Sequence, residues 1–152
     1  MVPGPISKKI VAAKLETVTE MLVGVESLPL SSFADFTRDP RMVAAGESYL
    51  RRALEALLDL GRHVLAKGFG LAVPESGAIA ERLGELGVLA PEIAANLKRM
   101  AGYRNRMVHE YDVVTPPELY RILTDHRTEI DDVLMAIRDW LAHHPEKVDD
   151  RL

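Results

Sequence analysis

At 152 residues and a formal net charge of −4, the chain is long enough for one domain with a real core. It carries too little positive charge to hold long nucleic acid by its overall field. Hydrophobic residues make up 47% and aromatics only 5%, so Leu, Ala, Val and Ile must fill the interior and an all-α fold is expected. The lack of cysteine excludes disulfides, thiolate catalysis and cysteine-ligated metal. No apolar run approaches a membrane span, and the N-terminus lacks the basic-then-apolar layout of a signal peptide, so a cytoplasmic protein without a membrane partner is expected.

Residues 1–5, with Pro3 and Pro5, read as a lead-in. Over residues 6–28, Val11, Leu15, Val18, Leu22 and Val25 recur at steps of four and three, which predicts a first helix closed by Pro29. Residues 30–38 read as a loop marked by Ser31 and Ser32. Asp39-Pro40 supplies an N-cap and a proline at the first helical position, opening a second helix that runs to about Lys67. Its predicted buried stripe is Tyr49, Leu50, Ala53, Leu57, Leu60 and Val64. The other face holds Arg52, Glu55, Asp59, Arg62 and His63, either as solvated ion pairs or, for Asp59 or His63, as groups that orient a site. Gly68-Phe69-Gly70 offers a C-cap.

Pro74-Glu75-Ser76 opens a short third helix to about Leu86, with Ile79, Leu83 and Leu86 inward and Gly84 and Gly87 permitting close packing. Ala90-Pro91-Glu92 starts a fourth helix, and Thr115-Pro116-Pro117-Glu118 a fifth. The core stripe of the fifth runs through Leu119, Ile122, Leu123, Ile130, Val133, Leu134, Ile137 and Leu141, with His126 among them as a satisfied core histidine. Trp140 is expected to plug the bundle base or an interface. His143-His144 reads as a solvated exit with no metal, and the charged residues from Glu146 onward are expected to fray. The resulting division is a helical domain over residues 5–144 and a charged C-terminal tail over residues 145–152.

The fourth helix departs from plain amphipathicity. Ile93, Leu97 and Met100 set a buried ladder whose next rung is Arg104, followed by Met107 or Val108 and then Tyr111. Arginine cannot shed its charge, so a guanidinium in an apolar column has a dedicated partner, snorkels to solvent, lines an interface or awaits an anion. His109 lies roughly 140° around an unbroken helix from Arg104. The run from Asp112 to Pro117 ends the helix at once, however. The ring therefore sits in a fraying last turn and can swing back, or a second copy of the chain supplies the missing group. The plain alternative is a histidine that partners the helix dipole.

Arg104, four intervening residues, His109, one residue and Tyr111 together resemble the Arg-x4-His-x-Tyr motif of the HepT-type HEPN ribonuclease toxins, with Asn105 fitting the polar residue after the arginine. Residues 47–67, the Pro74-Glu75-Ser76 turn and residues 97–111 resemble the family in the same order, so the likeness covers most of residues 5–142. It implies a HEPN-like up-and-down bundle of about five helices and a homodimer whose two motifs face each other across a cleft. It also implies a minimal nucleotidyltransferase antitoxin that adds AMP to the motif tyrosine, here Tyr111.

These residue types suit RNA cleavage without a metal or other cofactor. RNA carries its own nucleophile, the 2′-hydroxyl, and needs a proton acceptor and a cation on the phosphorane. His109 would move the proton, Arg104 would hold the charge on phosphorus, and Asn105 would bind the phosphate or position His109. Lys98, Arg99 and Arg106 are the candidate RNA contacts, local ones given the acidic net charge. A 2′,3′-cyclic phosphate and a 5′-hydroxyl are the expected ends. Two rivals remain: a non-catalytic HEPN module that docks a nucleotidyltransferase or holds a nucleotide, and a structural dimer whose Arg104 and His109 pair with acids such as Glu47 or Asp59.

Overall fold

Four side-chain oxygens fix where four helices begin. A computed structural model describes residues 4–109 and 113–151. In it Ser7 accepts from the amide of Ile10, Ser32 from that of Asp35, Asp39 from that of Arg41 and Thr115 from that of Glu118. Each occupies one of the amides that a helix start leaves unpaired. They open α1 (Lys8–Glu26), α2 (Phe33–Thr37), α3 (Pro40–His63) and α6 (Pro116–Asp125). The others are α4 (Ser76–Glu85), α5 (Pro91–Val108), with Pro91 in its first turn, and α7 (Arg127–Ala142). The fold is all-α, as expected.

The described residues form seven α-helices where about five were expected. One addition is α2, inside the stretch read as a loop: Ser32 caps it, and the fully buried Phe36 pins a single turn against α3 and α6. The other comes from a break in the fifth helix at His126, where the backbone opens to φ −113° and ψ 1°. The apolar stripe continues across that break, with Ile122, Leu123, Ile130, Val133 and Ile137 all buried. His126 is accordingly no core residue. It sits half-buried at the junction, its Nδ1 3.1 Å from Glu129 Oε1.

Helix α3 is the axis of the molecule: α1, α4, α5, α2 and α6 all pack on it. Its last turn widens into a π-helical turn, Val64–Gly68. Close approach sets the α4–α5 pairing, since a Cβ on Gly84 would stand 2.9 Å from the Cβ of Ala94. Gly87 closes α4 with φ +77°, a backbone that favours glycine.

The expected frayed tail is instead tied down. Strand β1 (Ile6–Ser7) pairs in parallel with β2 (Val148–Asp149), Ile6 opposite Val148 and Ser7 opposite Asp149. A 3₁₀ turn, Pro145–Lys147, precedes β2, and Lys147 Nζ donates to the Gly68 carbonyl at 2.9 Å while lying over the Phe69 ring. Trp140 stacks on His144 at 4.3 Å and tilts against Phe69, closing the base of the bundle. His63 Nε2 accepts the Ser7 amide at 3.0 Å, so α3 holds β1 in place. Among the described residues no helix is long and apolar enough to cross a membrane.

Candidate functional site

Leu97, Met100 and Ala101 bury one face of α5, and one turn further on the same helix presents Arg104, whose side chain is 32% exposed. Its Nε lies 3.9 Å from Glu55 Oε1 on α3, and its guanidinium donates to Asn105 Oδ1 at 3.2 Å. At 3.9 Å the contact with Glu55 is an ion pair without a hydrogen bond, and Glu55 is shared with Arg51 at 3.4 Å. Arg51 in turn stands 3.9 Å from Glu47. The i,i+4 spacing of Glu47, Arg51 and Glu55 could have shown this ladder, but such pairs ordinarily signal only a solvated face.

Arg104 lines a polar cleft of about 170 Å³ with Glu55, Leu58, Asp59, Arg62 and Ser76. Asp59 thus shares the cleft, as one expectation had it, yet its carboxylate is already engaged by Lys14 at 3.3 Å and Arg62 at 2.7 Å. His63, the other candidate for orienting the motif, points to β1 instead. Burial pushes its pKa below the usual histidine value, and the nearby Lys67 charge adds to the effect.

His109 follows the last residue of α5 with an extended backbone, φ −101° and ψ 127°. Its amide donates to the Arg106 carbonyl at 3.3 Å, and its ring makes no hydrogen bond among the described residues. It lines a separate cleft of about 200 Å³ with Glu47, Arg106, Met107, Val108, Val113 and Val114. Within one chain, therefore, Arg104 and His109 face different clefts. Helix α3 spans both, with Glu47 at one, Glu55 at the other and Arg51 between them.

The three basic residues expected to touch RNA each meet a carboxylate. Lys98 reaches Glu81 at 2.5 Å, Arg99 pairs with Glu129, and Arg106 binds Glu118 through two contacts of 2.7 Å. Hydrogen bonds from Lys98 and Arg106 hold the carboxyls of Glu81 and Glu118 below their ordinary range. Tyr111, the candidate modification site, lies outside the described residues. Among the described residues no group of three or more His, Asp or Glu side chains could hold a metal ion.

Residues 15–137 match the profile of the family described as Ribonuclease HepT-like. A tRNA nuclease HepT of Aphanizomenon flos-aquae is 28% identical over 120 residues, covering 78% of this chain and 81% of that protein. Among solved structures, a tri-AMPylated HEPN toxin of Shewanella oneidensis in complex with MNT antitoxin superposes with a TM-score of 0.78 at 19% identity, covering 86% of this chain and 97% of that one. The Bacillus subtilis cytosolic protein YutE, described as of unknown function, superposes with a TM-score of 0.75 at 22% identity, covering 91% and 93%. At such identities the structures establish the shared HEPN-type helical fold. The match along the sequence goes further: the chain belongs to the HepT-like ribonuclease family.

Proposed function

We propose that the protein is the toxin of a toxin–antitoxin pair, an endoribonuclease that cleaves RNA through the substrate's own 2′-hydroxyl without a metal ion. The single observation that carries this is the contrast between two neighbouring arginines. Arg106 is locked to Glu118 by paired short contacts, whereas among the described residues Arg104 is held by a 3.9 Å ion contact and its neighbour Asn105. A permanent planar cation left that loosely held suits a phosphate that arrives with the substrate. His109, its ring without a hydrogen-bond partner among the described residues, takes the proton of the 2′-hydroxyl and returns one to the leaving oxygen. Arg104 and Asn105 stabilise the charge that gathers on the phosphorane. Because the two side chains line different clefts in one chain, the reaction centre is assembled from Arg104 of one copy and His109 of another.

The test is purified protein with defined RNAs in the presence of a chelator. Products should carry 2′,3′-cyclic phosphate and 5′-hydroxyl ends, and His109→Ala should abolish both cleavage and growth toxicity with the helical fold intact. Equal cleavage by that variant sinks the assignment. Control is proposed to come from a minimal nucleotidyltransferase that attaches AMP to Tyr111, adding bulk and negative charge two residues along the chain from His109. Tyr111→Phe should then stay toxic when the transferase is co-expressed. Normal neutralisation of that variant would place the block elsewhere.

A second reading, a non-catalytic module that docks the transferase, is favoured by the carboxylate pairing of Lys98, Arg99 and Arg106 together with the net charge of −4. Inactivity of the wild-type chain on every RNA, with tight transferase binding, would select it.

A further inference from the structure

Arg106 falls inside the motif, between Arg104 and His109, and its guanidinium spans the junction of two helices. Its NH1 and NH2 each donate at 2.7 Å to one oxygen of Glu118 in the first turn of α6, and NH2 also donates to the Val113 carbonyl at 3.3 Å. This is the fork-to-fork geometry in which an arginine–carboxylate pair is strongest and most directional. Both side chains are largely shielded, 30% and 19% exposed. Glu118 is itself fixed, because its amide rests on the Thr115 hydroxyl that caps α6.

His109, by contrast, brings little of its own. One hydrogen bond, from its amide to the carbonyl of Arg106, anchors its backbone, and its ring donates to and accepts from nothing among the described residues. No side-chain partner among the described residues holds the imidazole, and the residue that carries it lies in sequence between Arg106 and the two groups Arg106 clasps, Val113 and Glu118.

We propose that Arg106 is a positioning residue, whose clasp on Glu118 and Val113 aims the His109 imidazole, and not a ligand of the RNA phosphate. The inference rests on the nuclease function proposed above. Proton transfer demands close alignment, and a misplacement of about 1 Å costs roughly 100-fold in rate. Substrate affinity, carried by Arg104 and Asn105, does not depend on the clasp.

Glu118→Gln keeps the shape and the Thr115 cap but breaks the charged fork. It should lower kcat on a defined RNA by roughly 10- to 100-fold while KM stays within about twofold of wild type. Amide exchange at His109 and Glu118 should quicken, with the unfolding midpoint of the bundle little changed. The reciprocal variant Arg106→Glu/Glu118→Arg should restore much of kcat and the slow exchange. A phosphate ligand would behave in the opposite way, since loosening Arg106 from Glu118 by Glu118→Gln would lower KM and spare kcat. That result overturns the proposal, as does a folded reciprocal variant that regains neither kcat nor protection. Should the wild-type chain cleave no RNA at all, the nuclease function falls by itself. Exchange at the same two amides then still decides the clasp, which unchanged protection in Glu118→Gln would refute.

Discussion

Arg104 and Arg106 stand two positions apart on one helix and meet opposite surroundings, one a distant shared carboxylate, the other a bidentate clasp. On that difference, more than on the presence of charge, rest the phosphate role proposed for Arg104 and the positioning role proposed for Arg106. The oddness of Arg104 was legible in sequence because an apolar ladder ran into it; its partner was not, since Glu55 lies on another helix. His63 shows a second kind of commitment. As acceptor of the Ser7 amide it must be neutral, and its pKa is lowered by burial and then by Lys67. A lowered folded-state value means that the unfolded chain binds the proton more readily. The stability it contributes is therefore complete above the unfolded histidine value of about 6.5 and drains away as pH falls through the folded value. Denaturation at pH 7.5 and pH 5.5 should show a loss that His63→Gln, which keeps an acceptor, does not share. Parallel losses in both proteins would remove His63 as the cause.

At the scale of elements, α4 and α5 meet through Gly84, where an added Cβ would press on that of Ala94 at 2.9 Å. Neither atom is the tip of a flexible chain, so the helices must separate. Gly84→Ala should cost about 1–3 kcal/mol of stability, read as a drop in the denaturation midpoint, and it is expected to shift α5 and with it Arg104. An unchanged midpoint would mean that the contact relaxes freely. Helix starts were legible because caps are local: Asp39-Pro40 and Thr115-Pro116 announce α3 and α6 without any tertiary information. The break at His126 was not, because the apolar stripe crosses it undisturbed and period alone cannot register a kink. Short α2 escaped notice for the related reason that one turn is too brief to show a period.

On the scale of the whole molecule, the separation of Arg104 from His109 makes the pairing of copies testable. Mixing Arg104→Ala and His109→Ala chains, each inactive alone, should rebuild one intact centre per mixed dimer. Random exchange should then return roughly a quarter of wild-type cleavage. No recovery would mean that both groups come from one copy. The angular offset of the two residues was readable from helical geometry, but which cleft each would face depended on where α5 stopped. Nor could the chain ends be foreseen, for a two-residue parallel ladder joining Ile6 to Val148 leaves no local trace. That small ladder has a practical reach. Helix α3 rises by 1.5 Å per residue, so His63, which holds β1, stands roughly 24 Å along the axis from Glu47 in the His109 cleft. A fluorophore, affinity handle or surface tether joined beyond either strand would hang far from the His109 cleft and leave it open, whereas the Arg104 cleft, lined by Arg62, lies beside that end of α3.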